Sequence, residues 1–211
     1  QWSVMGGSFM GRKIVLLANF DPDEVWRLVE EYKVDTVMIT GDAMGRPLIE
    51  ALDAPETERE LSSMFVLVST AAVFSPTVKD RFFDRFPDLI IIDSIGSSES
   101  GNNGMAMITK GHTAMTGGGP TVKAGPNTVV LDTETLEAIP AGSETIGKVG
   151  RSGDIPLEYY KDPVKSAETF VTGADGRHYS IPGDFARHES DGTITLLGRG
   201  SVSINSGGEK I

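Results

Sequence analysis

The 211-residue sequence contains no cysteine. It therefore forms no disulfide, runs no thiolate chemistry, and suits a reducing compartment such as the cytoplasm. No apolar run approaches the ~18 residues of a membrane-spanning helix; the longest, around Ile90-Ile91-Ile92, is strand-sized. No basic-then-apolar signal segment is seen either. Basic residues are scarce. With 19 Lys and Arg against 30 Asp and Glu the formal net charge is -11, which disfavours nucleic acid and anionic membrane as partners. The histidines His112, His178 and His188 have no other metal ligand in company. A hydrophobic content of 39% with 23% charged residues is ordinary globular composition, and the length is enough for one large domain or two small ones.

The first half alternates helical and strand patterns. Asp21-Pro22-Asp23-Glu24 is a helix start, with Asp21 as N-cap, proline at the first helical position and acids near the positive end of the macrodipole. Val25, Leu28, Val29 and Tyr32 follow on one helical face. Val37-Met38-Ile39, Phe65 to Val68 and Leu89 to Ile92 are short apolar strands, and Ser75-Pro76-Thr77 opens a helix through Phe82, Phe83 and Phe86. Two-sided apolar strands between amphipathic helices predict a parallel sheet with flanking helices over residues 1–104. From Met105 the pattern changes. Gly117-Gly118-Gly119-Pro120, Gly125-Pro126, Pro140-Ala141-Gly142 and Asp191-Gly192 separate short β runs. They predict an antiparallel region over residues 105–198, a distorted β-barrel or a small sheet. Residues 199–211 read as a strand, a tight turn at Gly207-Gly208 and a second strand.

Three segments carry candidate chemistry. The strand Leu89 to Ile92 leads into Asp93-Ser94-Ile95-Gly96-Ser97-Ser98-Glu99-Ser100-Gly101, and in α/β sheets ligands sit at the carboxyl ends of strands. Gly96 permits close backbone approach, Ser97, Ser98 and Ser100 supply hydroxyls, and Glu99 can hold a hard cation. A polar loop capping a buried strand is an equal alternative on pattern alone. Asp184, in Pro182-Gly183-Asp184-Phe185, can accept hydrogen bonds from vicinal hydroxyls, or can be an Asx-turn residue. Arg199 supplies a delocalised cation.

In this order, with Val68-Ser69-Thr70-Ala71-Ala72-Val73-Phe74-Ser75-Pro76 and Glu158-Tyr159-Tyr160-Lys161-Asp162-Pro163-Val164-Lys165-Ser166-Ala167-Glu168-Thr169-Phe170, the segments resemble the adenylate-forming acyl-CoA synthetases. The resemblance covers nearly the whole chain. It implies part of the large N-terminal domain of an ATP-dependent ligase, with residues 199–211 as the hinge to a C-terminal lid. Carboxylate and ATP would give acyl-adenylate and pyrophosphate, and the CoA thiol would then displace AMP. Residue by residue, it implies that Glu99 binds Mg2+ and Ser98 touches phosphate. Ala71, Ala72, Asp93, Ser94, Ile95 and Gly96 would line the adenine of ATP or AMP, Asp184 would grip the ribose, and Arg199 would reach ribose or phosphate. Ile95 stands where the family places an aromatic residue, Ala71 where it places a glycine, Pro182 where it places threonine, and Ser201 where it places the Asp or Lys pivot of the lid. The ending from Gly198 to Lys210 is most like bacterial ligases for long-chain fatty acids or sterol side-chain acids, so the expected substrate is a small carboxylic acid of lipid metabolism.

The family's Ser/Thr/Gly-rich phosphate loop and its C-terminal adenylation lysine are not in this sequence. The 211 residues alone are expected to be inactive, and to self-associate through exposed apolar surface. Other readings stand beside the ligase. One is a non-catalytic acyl- or nucleotide-binding module, supported by Ile95. Another is a serine hydrolase, because Gly96-Ser97-Ser98-Glu99-Ser100 nearly fits a nucleophile elbow with Asp184 and His188 following in triad order. Gly142-Ser143-Glu144-Thr145-Ile146-Gly147-Lys148-Val149 nearly fits a P-loop, but it lacks the final hydroxyl and is expected to enter a strand through a β-turn.

Overall fold

The computed structural model describes residues 2–53, 59–111 and 120–199, with the pairs 205–206 and 209–210. His112, Gly117 to Gly119, Ser201, Gly207 and Gly208 lie outside the described residues, as does the side chain of Arg199. The chain divides into two compact units, Gln1–Ile92 with Thr109–His112, and Asp93–Ile108 with Thr113–Ile211.

The first unit contains α1 (Trp2–Phe9), α2 (Pro22–Tyr32), β1 (Thr36–Ile39), α3 (Gly41–Ala51), β2 (Val66–Thr70), α4 (Pro76–Arg85) and the start of β3 (Ile90–Ser97). Helix α2 begins as its sequence predicts: the Asp21 carboxylate accepts from the Glu24 N–H at 2.9 Å and Pro22 occupies the first turn. Strands β1 and β2 pair in parallel from Thr36 opposite Val66 to Ile39 opposite Ser69, and β3 lies on the other side of β2. The core collects Trp26, Leu48, Leu67, Phe82, Phe83 and Ile91, all essentially buried. Trp26 donates its indole N–H to the Leu48 carbonyl at 2.8 Å, which satisfies the one polar atom of a fully buried ring. Helix α3 is not anticipated by the sequence, because Gly41, Gly45 and Pro47 punctuate it. Packing explains it. A Cβ at Gly45 would fall 2.8 Å from the Phe74 ring, so the small residue lets the helix approach.

The second unit is antiparallel. It contains the end of β3, then β4 (Gly101–Ile108), β5 (Thr121–Ala124), β6 (Thr128–Leu131), β7 (Ile146–Ser152), α5 (Pro163–Thr169), β8 (Phe170–Thr172), β9 (His178–Ser180), β10 (Asp184–His188) and β11 (Thr193–Arg199). A separate antiparallel pair joins β12 (Asn205–Ser206) to β13 (Glu209–Lys210). The strand order β4-β5-β11-β10-β7-β9-β8, with β6 also on β7, makes an open sheet rather than a closed barrel. Val130, Ile139, Val149, Ala186 and Ile194 form its apolar core. Tyr179, in the middle of β9, is also buried, and its hydroxyl donates to Asp175 at 2.8 Å. Burial, and then that carboxylate, push the phenol above its ordinary range.

Candidate nucleotide and metal site

Strand β3 runs further than the sequence predicts. Asp93, Ser94, Ile95 and Gly96 lie on the strand, not on a loop after it. Because side chains alternate, Ile91, Asp93 and Ile95 share one buried face, while Ser94 and Gly96 fall on the other. The isolated apolar side chain expected to meet adenine is therefore itself 7% exposed. Gly96 has a reason internal to the fold. A Cβ there would collide with the Gly101 carbonyl oxygen and lie 3.1 Å from its carbon and 3.3 Å from the Asn102 Cα.

The loop is thus only the turn between β3 and β4, and its hydroxyls organise it. The Ser97 hydroxyl accepts from the Glu99 and Ser100 N–H groups at 3.2 and 3.1 Å, a serine turn that fixes the backbone carrying Glu99. Ser97 and Ser100 share a hydrogen bond at 2.9 Å, and Asn103 donates to Ser100 at 2.8 Å. Ser98 projects outward and is exposed. The turn therefore uses Ser97 and Ser100 for structure and presents Ser98 and Glu99.

Glu99 is half-buried and accepts a hydrogen bond from the Tyr159 hydroxyl at 2.7 Å. The segment from Glu158 to Phe170 carries no sequence pattern that singles out Tyr159 for this role. Helix α5 begins just beyond it, capped by the Asp162 carboxylate, which accepts from the Lys165 N–H at 3.0 Å. Asp184 is the first residue of β10 and stands opposite Arg199, the last residue of β11, in the antiparallel register. A bulge between Phe185 and Ala186 offsets the strands by one residue, so that Asp184 pairs with Arg199 rather than Gly198. Ala71 and Ala72 belong to the first unit, just after β2. Ala71 has a φ of 66°, the left-handed conformation in which a glycine carries no strain.

The rival arrangements are not assembled. His188 places its Nδ1 2.9 Å from the Ile139 carbonyl, and no described histidine hydrogen-bonds Ser98. The segment around Gly142 turns and enters β7, where Lys148 lies 5.6 Å over the Phe185 ring; no helix follows to receive a phosphate.

Among the described residues no group of three or more His, Cys, Asp or Glu side chains converges. Glu99 with neighbouring hydroxyls is a sparse, all-oxygen donor set. That chemistry fits magnesium, which takes one or two protein carboxylates and completes its octahedron with water and substrate phosphates. It does not fit zinc, which wants nitrogen or sulfur donors in a full protein shell.

Solved structures define the class of fold. The chain matches a nonribosomal peptide synthetase with a TM-score of 0.81 and 22% identity, covering 94% of this chain and 22% of the other. It matches a long-chain-fatty-acid-CoA ligase from Archaeoglobus fulgidus with a TM-score of 0.74 and 17% identity, covering 90% and 39%. The family model for AMP-binding enzymes matches residues 1–156, and the chain belongs to that family. It is 51% identical, over 100% of its length, to a 3-oxocholest-4-en-26-oate–CoA ligase of Rhodococcus rhodochrous, of which it spans 38%. It is 50% identical, over 96% of its length, to a medium/long-chain-fatty-acid–CoA and 3-oxocholest-4-en-26-oate–CoA ligase of Mycolicibacterium smegmatis, of which it spans 37%. The chain thus spans less than two fifths of these curated relatives.

Proposed function

We propose that this chain is the nucleotide-holding part of a cytoplasmic ligase that joins a long-chain or sterol side-chain carboxylic acid to coenzyme A through an acyl-adenylate. One observation carries the reading: on a chain half identical to such ligases, Glu99 sits on a hydroxyl-braced turn and Asp184 stands opposite Arg199. In the first step a carboxylate oxygen bonds to the α-phosphorus of ATP and pyrophosphate leaves. In the second the CoA sulfur bonds to the carbonyl carbon and AMP leaves.

The charge of -11 opposes a polyphosphate, so binding needs local cations. Magnesium, when bound, neutralises phosphate charge as it develops. Glu99 would hold it, Ser98 would donate to a phosphate oxygen, Asp184 would accept from the ribose hydroxyls, and Arg199 would meet ribose or phosphate. Asp93, Ser94, Ile95 and Gly96 remain proposed for the adenine side, as do Ala71 and Ala72. The residues 199–211 are proposed as the hinge to a lid domain.

The test is carboxylate-dependent ATP–pyrophosphate exchange in the full-length protein. Glu99→Gln is expected to lower kcat about 100-fold with the melting temperature nearly unchanged. Asp184→Ala is expected chiefly to raise KM for ATP, by about tenfold. Equal tolerance of both substitutions rejects the site assignment. The 211-residue chain alone is expected to give no exchange and to self-associate through exposed side chains such as Phe65, Met107 and Leu157, which light scattering reads. Ile95 favours a second reading, a module that binds without turnover; calorimetry showing acyl-chain binding with no ATP consumption would select it.

A further inference from the structure

We propose that Tyr159 is a positioning residue for Glu99, holding its carboxylate in the orientation that receives the metal. The proposal rests on the reading of Glu99 as the magnesium ligand. The phenol donates to Glu99 Oε1 at 2.7 Å, the short distance of a charge-assisted bond. A donor can orient its acceptor only if it is itself held, and Tyr159 is held from several sides. Its ring packs 5.4 Å from the buried Phe170 ring, at 52°. Its backbone N–H donates to the Ser166 hydroxyl at 2.8 Å, and that hydroxyl donates to the Asp162 carbonyl at 2.6 Å. Backbone and ring are thus fixed by the segment that opens and closes α5.

Lys165 holds the ring from a further side. Its ammonium lies 4.7 Å over the Tyr159 ring centroid, where the cation is attracted to the ring face. Glu99 meanwhile rides on a three-residue turn fixed through its backbone by Ser97. The turn fixes where the residue starts and Tyr159 fixes where the carboxylate ends. Outer partners of this kind set the orientation of a metal-ligating group, and their loss typically costs about 10–100-fold in metal affinity. A glutamate that supplies one carboxylate to magnesium has most need of such a partner, because no cluster of three or more His, Cys, Asp or Glu side chains among the described residues shares the task.

The experiment measures Mn2+ binding to the full-length protein by loss of the free-ion electron paramagnetic resonance signal, with AMP, a weak chelator of Mn2+, filling the nucleotide site. Tyr159→Phe keeps the ring and its contact with Phe170 and removes only the hydroxyl. It is expected to weaken Mn2+ binding about tenfold while leaving metal-free ATP binding and the melting temperature unchanged. Glu99→Gln should weaken Mn2+ at least as much, and adding Tyr159→Phe to it should cost nothing further. If Glu99→Gln weakens Mn2+ and Tyr159→Phe does not, the positioning role is overturned while the metal reading stands. If the two substitutions add fully, Tyr159 acts independently of Glu99 and the proposal again fails. Unchanged Mn2+ binding in Glu99→Gln rejects the metal reading, and the role of Tyr159 with it.

Discussion

Gly96→Ala is the sharpest single perturbation, because one methyl group meets only backbone. The added Cβ would overlap the Gly101 carbonyl oxygen and press on the Gly101 carbon and the Asn102 Cα at 3.1 and 3.3 Å. Carbon atoms normally settle at about 3.5–4.0 Å, so β3 and β4 must part by something on the order of 1 Å. No flexible side chain can swing aside to absorb this. Overpacking costs about 1–3 kcal/mol, and a backbone obstacle places this substitution at the upper end. With about 2–4 °C per kcal/mol for a chain of this size, the melting temperature should fall by roughly 6–12 °C. Circular dichroism melts read this directly. Gly6→Ala is the control: it lies in α1 with open space around it, and should gain about 0.5–1 kcal/mol from reduced chain entropy. The same displacement moves the turn that presents Glu99, and a shift of about 1 Å can lower turnover about 100-fold. A Gly96→Ala protein melting within about 1 °C of its parent would refute the reasoning.

Trp26→Phe removes the indole donor to Leu48 and leaves a small void in the first unit, so urea unfolding should show a loss of about 2–3 kcal/mol. For Tyr179 the folded state holds the phenol's proton more tightly than the unfolded chain does. Its contribution to stability is therefore complete below the unfolded value near pH ~10 and is lost as pH rises through the higher folded one. Denaturant melts between about pH 9 and about pH 11 should show that loss, and Tyr179→Phe should flatten it. Asp132 has the opposite sign. The Thr135 and Glu134 N–H groups hold its carboxyl below the usual carboxylate range, so its contribution is present above about pH 4 and fades as pH falls. Asp132→Asn should lose less stability than the parent between about pH 6 and about pH 3.

What the sequence discloses of this fold follows from how local the responsible interactions are. The starts of α2 and α4 are legible because Asp21, Pro22 and Pro76 act within one turn. Helix α3 is not, because Gly41, Gly45 and Pro47 oppose it locally and only packing against residues such as Phe74 sustains it. The extension of β3 through Ser97 is hidden for a related reason: Asp93 and Ser94 look like loop residues, although Asp93 is buried. Ser98, Glu99, Asp184 and Arg199 could be picked out as candidates by the order of their motifs. Their partners could not, since the Asp184–Arg199 register depends on a bulge and the Glu99–Tyr159 bond joins residues with no shared pattern.

That bond also sets an order of events during folding. The turn carrying Glu99 closes through contacts two and three residues apart, whereas the Tyr159 hydroxyl reaches across a sequence separation of 60 residues. Closing a short turn takes well under a microsecond, and a long loop must first surrender more chain entropy. A nascent chain thus has its carboxylate displayed on a closed turn before the segment that carries Tyr159 arrives. If Glu99 holds a cation as proposed, that competence is the last property this region acquires, and the first it loses when α5 and its flanks open locally.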